Sequence, residues 1–114
     1  MEDFLFVYRM ELTAGQPAPT AAQREESMKK WQDWLSALAA QNHLTNAGSR
    51  LKPDGKVVKP KNIITDGPYI EMKEAIGGYS IIKAESLAQA VELAKGCPIF
   101  LIGGSVEVRE IAGM

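Results

Sequence analysis

Phe4-Leu5-Phe6-Val7-Tyr8 places five apolar or aromatic residues in succession, with no polar residue at any alternate position. A strand with one wet face alternates, so an unbroken run predicts a strand covered on both faces, at the centre of a sheet. A chain of 114 residues that is 46% hydrophobic fits one domain built around such a strand. That length supports a core, yet is small enough that a partner subunit would help.

The rest of the chain alternates strand and helix patterns. Thr13–Pro19 breaks regular structure, and Thr20 with Gln23 reads as a capping box opening a helix that runs to about Asn42. Met28, Trp31, Leu35 and Leu38 form its expected buried stripe, Trp34 lies at the flank, and Arg24, Lys29, Lys30 and Asp33 lie largely away. Leu44–Leu51, punctuated by Pro53-Asp54-Gly55 and followed by Lys56-Val57-Val58, reads as a β-hairpin. Ile63-Ile64-Thr65 is a brief extended piece and Gly78–Ala84 a strand. Ser86 and Gln89 repeat the capping pattern. Leu87, Ala90, Val91 and Ala94 face inward on the second helix, Gly96 is its expected C′ residue, and Pro98 forbids continuation. Ser105–Ile111 alternates as a half-exposed last strand.

This order collapses to βαββαβ with an inserted β-hairpin, the ferredoxin-like α+β plan of an antiparallel sheet with both helices on one face. The other face is left uncovered. Because the first strand is apolar throughout, a second copy is expected to cover it, making a homodimer.

Thirteen basic against 14 acidic residues give a net charge of −1. That leaves no electrostatic footprint for nucleic acid or for an anionic membrane. No apolar run has membrane-spanning length, and Glu2 and Asp3 are the wrong sign for a signal peptide, so a cytoplasmic protein is expected. Cys97 and His43 are each the single residue of their kind; they make neither an internal disulfide nor a recognised zinc set, and no metal or cofactor is expected.

Residues 65–79 concentrate the candidate chemistry. Asp66-Gly67-Pro68 is expected to be neither helix nor central strand, hence a shaped loop. Asp66 serves either as a general base or electrostatic anchor, or simply caps its turn. Glu71 and Glu74, held by Lys73, are either a carboxylate pair with one raised pKa or a solvated surface. Glu71–Ala75 contains good helix formers and no β-branched residue, which predicts a turn that sets the two glutamates side by side. Tyr69 and Tyr79 line a pocket or edge the core, and Trp31 is a ligand platform or core residue. Gly77-Gly78 reads more readily as a bulge than as a ligand approach. His43 lacks a carboxylate partner, and Cys97 reads as a small buried hydrophobe.

Asp66-Gly67-Pro68-Tyr69, Glu71, Lys73-Glu74, Gly77-Gly78-Tyr79 and Gly104–Arg109 together resemble the YCII-related proteins of the DGPF-domain group, a mostly bacterial family. The resemblance spans roughly residues 4–111. It implies a dimeric α+β barrel on the ferredoxin-like fold and no established reaction. Some members being encoded near extracytoplasmic-type sigma factors, it also implies a regulatory connection. Relatives of the YCII type carry a histidine on the first helix and an aspartate before a proline near the end of the second, suggested as an acid–base dyad. The similar places here hold Trp31 and Cys97. Indole N–H only donates, so any acid–base site must be rebuilt from the DGPY loop.

Two functions follow. The first is a small cofactorless enzyme or binder of a small polar molecule, with Asp66, Glu71 and Glu74 as candidate catalytic groups and Tyr69, Lys73, Tyr79 and Trp31 as candidate ligand contacts. The second is a non-catalytic dimeric module that contacts a regulatory protein partner.

Overall fold

A computed structural model describes residues 1–11, 19–52, 54–67 and 74–113. The elements are β1 (Glu2–Glu11), α1 (Ala21–Ala40), β2 (Leu44–Arg50), β3 (Gly55–Lys59), β4 (Ile63–Gly67), β5 (Glu74–Ala84), α2 (Leu87–Ala94) and β6 (Ser105–Glu110). Short 3₁₀ turns cover Pro60–Asn62 and Pro98–Ile102. The main sheet is antiparallel in the order β2-β5-β1-β6, and β3 and β4 form a separate two-stranded sheet. This is a ferredoxin-like α+β fold with an inserted hairpin. The apolar first strand is central, as its composition requires.

Alternation along β1 sends Phe4, Phe6 and Tyr8 into the core beneath the helices, where they meet Ile82, Ala84, Ala90, Ala94 and Ile99. Phe4, Phe6 and Ile82 are wholly buried, each contributing about 1.5–3 kcal/mol by leaving water. Asp3, Leu5, Val7 and Arg9 fall on the opposite face, paired with Lys83, Ile81, Tyr79 and Ile76 of β5. An extra residue, Gly77, sits in β5 between the partners of Tyr8 and Arg9, so the glycine pair does mark a bulge.

The caps are those that the sequence spells. Thr20 accepts from the Gln23 N–H at 3.1 Å while the Gln23 side chain accepts from the Thr20 N–H at 2.9 Å, a complete capping box. Ser86 accepts from the Gln89 N–H, but Gln89 reaches back to the Glu85 N–H, one residue earlier than the box requires.

Several expectations need correction. Pro53-Asp54-Gly55 does not turn β2 back on β3: β2 runs along β5, and β3 pairs with β4. The hairpin turns instead at Pro60–Asn62, where Lys61 and Asn62 both have positive φ (68° and 61°). Two successive left-handed residues give the twist that a tight hairpin wants. Asp66 and Gly67 consequently belong to an edge strand, opposite Lys56 and Gly55, and not to a loop. Glu74 and Ala75 are extended and paired with Glu11 and Met10, so strand pairing overrides helix propensity there. The predicted turn over Glu71–Lys73 and the Pro68–Ile70 part of the loop lie outside the described residues. Met28 is exposed, because the first half of α1 overhangs the sheet. Trp34 takes its place in the stripe with Trp31, Leu35 and Leu38. On α2, small Ala90 and Ala94 make the close contact and leave Leu87 and Val91 at the surface.

Candidate functional site

The middle of α1 faces the turn that follows α2, and an open cleft of about 410 Å³ lies between them. Trp34, Cys97, Pro98, Phe100 and Leu101 supply its apolar wall, with Lys30, Asp33 and Lys95 at the rim. Local sequence builds this shape. Pro98 ends any continuation of α2 and starts the 3₁₀ turn. Gly96 stands at the C′ position but without a positive φ; its value here is size, because a Cβ would lie 3.2 Å from the Trp34 Nε1. Gly103, at φ 75°, then reverses the chain, with its N–H donating to the Ile99 and Phe100 carbonyls.

Below the cleft is an aromatic cluster. Trp31 and Tyr8 meet edge to face with centroids 4.8 Å apart, Trp31 and Trp34 do so at 5.9 Å, and Phe6 stacks with Trp34 at 6.3 Å. The Tyr8 hydroxyl donates to Ser80 Oγ at 2.8 Å, and the Ser80 hydroxyl donates to the Ala47 carbonyl at 2.7 Å. Burial pushes the Tyr8 phenol well above its ordinary range, against the opposing pull of the Ser80 bond and with a smaller push from Cys97. Burial likewise raises the Cys97 thiol to about 12, with a backbone hydrogen bond at Ile99 opposing. Both groups are therefore proton-holding at neutral pH. A protonated, buried thiol is a poor nucleophile.

The two rim lysines are paired locally. Lys30 lies 3.4 Å from Glu26 and Lys95 2.6 Å from Glu92, all at exposed positions. The arrangement can bind an apolar group and orient a polar one. His43 is structural: its Nδ1 sits 2.8 Å from the Lys83 carbonyl, and its backbone bonds to Leu38 and Lys83, tying the end of α1 to β5.

The sequence candidates fall in different places. Trp31 is half-buried against Tyr8 on the helix side. Tyr79 is half-buried on the other face of the sheet, opposite Val7, so these two cannot line one pocket within a single chain. Asp66 lies on β4 and Glu74 opens β5. Tyr69, Glu71 and Lys73 lie outside the described residues. Among the described residues no three His, Cys, Asp or Glu side chains gather as a metal set would require, and no helix is long and apolar enough to cross a membrane. The cleft residues that sequence reasoning missed, Phe100 and Leu101, had one signal: Pro98–Ile102 is an apolar run just after a helix stop, too short for a helix and lacking alternation.

A sheet flanked on one face by two helices, with a cleft between the middle of α1 and the turn after α2, defines a small ferredoxin-like α+β domain. The chain matches the YCII-related domain family over residues 4–114 and belongs to that family. No curated protein matches it. Trp31 packs on the Tyr8 ring, and Cys97 stands in the same buried cluster.

Proposed function

We propose that the protein is a homodimeric small-molecule binder whose ligand occupies the Trp34–Leu101 cleft. The observation that carries this reading is the pairing of an aromatic and aliphatic wall with a polar rim in a concavity large enough for a small molecule. The ligand class is a molecule with a flat or aliphatic part against Trp34, Phe100 and Leu101 and a polar end among Lys30, Asp33 and Lys95. Binding, not acid–base turnover, suits a cleft whose titratable core neighbours, Cys97 and Tyr8, hold their protons. Dimerisation rests on the sheet face that no described helix covers, where Leu5, Val7, Tyr79 and Ile81 form an apolar centre.

Phenol, benzoate and indole titrated into ¹⁵N-labelled protein test the cleft. Saturable shifts of the Trp34 indole N–H and of the Gly96, Phe100 and Leu101 amides are expected, and Leu101→Glu should remove them while leaving the other amides in place. Shifts scattered over the surface, or none, would sink this reading.

A second reading keeps Asp66, Glu71 and Glu74 as an acid–base site with Tyr69, Lys73 and Tyr79. The observation favouring it is that Tyr79 stands on the open face, where a second copy would enclose it. Loss of a measured activity in Asp66→Asn, with cleft binding intact, would support it over the first.

A further inference from the structure

The charges around the cleft are not evenly matched. Lys30 and Lys95 each face a carboxylate of their own helix, Glu26 at 3.4 Å and Glu92 at 2.6 Å. Asp33, on the same rim, makes no ion pair or hydrogen bond with any described residue. Lys29 lies one turn before it on α1, but does not pair with it and is not part of the lining. With both lysines neutralised locally, Asp33 leaves the rim with one uncompensated negative charge.

The facing wall has the same sign. α2 ends at the cleft, where Lys95, Gly96 and Cys97 line it. A helix carries partial negative charge at its C-terminus, on the carbonyls that lack intrahelical donors. The Val91 and Glu92 carbonyls accept from the Lys95 N–H and the Ala94 carbonyl from the Cys97 N–H, but the Leu93 carbonyl has no donor among the described residues. It lies 3.9 Å from the point where a Gly96 Cβ would stand, so no side chain at Gly96 covers it. Trp34 Nε1 stands 3.2 Å from the same point and also lacks a described partner, but a neutral donor sets no charge preference. The rings of Trp34 and Phe100 suit a positive charge, because aromatic faces attract cations.

We propose that the cleft selects an organic cation, a primary amine on a flat or short aliphatic body, with its ammonium directed to Asp33 and to the C-terminal carbonyls of α2. The inference rests on the cleft-binding reading above and fixes the charge of its ligand. The body packs on Trp34, Phe100 and Leu101, while the ammonium N–H groups meet acceptors that no other described group satisfies. A carboxylate of the same shape would meet an uncompensated like charge, and would gain a partner only by drawing Lys30 or Lys95 away from its glutamate.

Benzylamine, benzyl alcohol and benzoate share one ring and differ in the charge at its end. Each is titrated into ¹⁵N-labelled protein at neutral pH and low salt, and binding is read from the Trp34 indole N–H and the Gly96 and Leu101 amides. Benzylamine is expected to bind about three- to fivefold more tightly than benzyl alcohol, the size of one exposed charge pair, and benzoate more weakly than either. High salt should shrink the preference. Asp33→Asn, at an exposed position, should bring benzylamine down to the level of benzyl alcohol and leave benzyl alcohol unchanged. Glu26→Gln, also exposed, frees Lys30 and should strengthen benzoate while weakening benzylamine. Equal binding of the three, a tighter benzoate, or a benzylamine preference unchanged in Asp33→Asn overturns the inference, while saturable cleft shifts with benzyl alcohol keep the cleft reading. No cleft shifts with any of the three overturns both.

Discussion

The Tyr8 hydroxyl reaches Ser80 Oγ at 2.8 Å across the two central strands, and Ser80 passes the chain on to the Ala47 carbonyl of the edge strand at 2.7 Å. One buried relay thus joins β1, β5 and β2, fixing the β2 edge at a point where its register slips. Fully satisfied buried networks specify a unique arrangement, and half-satisfied ones are costly. Ser80→Ala removes the centre of the relay and strands both the phenol and the Ala47 carbonyl, a loss of about 1–3 kcal/mol; Tyr8→Phe removes only one end and should cost about 1 kcal/mol. Urea denaturation of the two variants should therefore rank Ser80→Ala as the less stable. The reverse order would mean that the relay adds little beyond the Tyr8 ring.

Glycines at the two ends of the fold should behave differently although they share a φ of 75°. At Gly48 a Cβ would fall 1.7 Å from the Tyr79 carbonyl oxygen, so β2 could not keep its place beside β5, whereas at Gly103 a Cβ meets open space. Gly103→Ala then costs only the left-handed backbone, about 1–2 kcal/mol, and Gly48→Ala several kcal/mol or the fold itself. Thermal melts of the pair measure the contrast. Equal melting temperatures would show that β2 is not held against β5 as described.

Gly96→Ala tests how the cleft is shaped. A methyl 3.2 Å from the Trp34 Nε1 obliges the indole to give by a few tenths of an ångström, with little effect on the core beneath. The stability change should stay within about 1 kcal/mol while the Trp34 indole N–H resonance moves and the binding of indole or benzoate changes. An unmoved resonance would detach Trp34 from the site.

The elements that could be read from sequence are those in which local and global preferences agree. Thr20 and Ser86 sit at helix starts because their side chains satisfy helix N–H groups wherever the helix packs, and Phe4–Tyr8 has only one place to hide five apolar residues. The misreadings arise where tertiary contacts decide. Pro53-Asp54-Gly55 is a stronger turn signal than Pro60-Lys61-Asn62, yet β2 is bound along β5 and unavailable to β3. Met28, Leu87 and Val91 keep helical spacing, but spacing cannot say where the sheet beneath a helix ends. The cleft was harder still, since it is made by the absence of a Cβ at Gly96 and by a 3₁₀ turn at Pro98–Ile102, neither of which carries a periodic pattern. Tyr79 and Trp31 were grouped by chemistry alone; strand alternation puts them on opposite faces.

Cys97 makes stability fall in alkali. Its thiol titrates at about 12 in the folded chain against an ordinary 9.0, chiefly because it is buried. The unfolded chain releases this proton as pH rises past about 9 while the folded chain holds it until about 12. Folding is thus undiminished by this group below pH 9 and progressively weakened across the window above it, by about 1 kcal/mol at pH 10. Tyr8, also raised by burial, adds a loss of the same sign only above its own ordinary value of 10.0, so the interval from pH 8 to 10 isolates the thiol. Denaturant midpoints measured over that interval should decline in wild type and stay nearly flat in Cys97→Ala, whatever constant cost the substitution imposes at pH 8. Equal declines in the two chains would show that the thiol is reached by water in the folded state, contrary to its burial among the core residues.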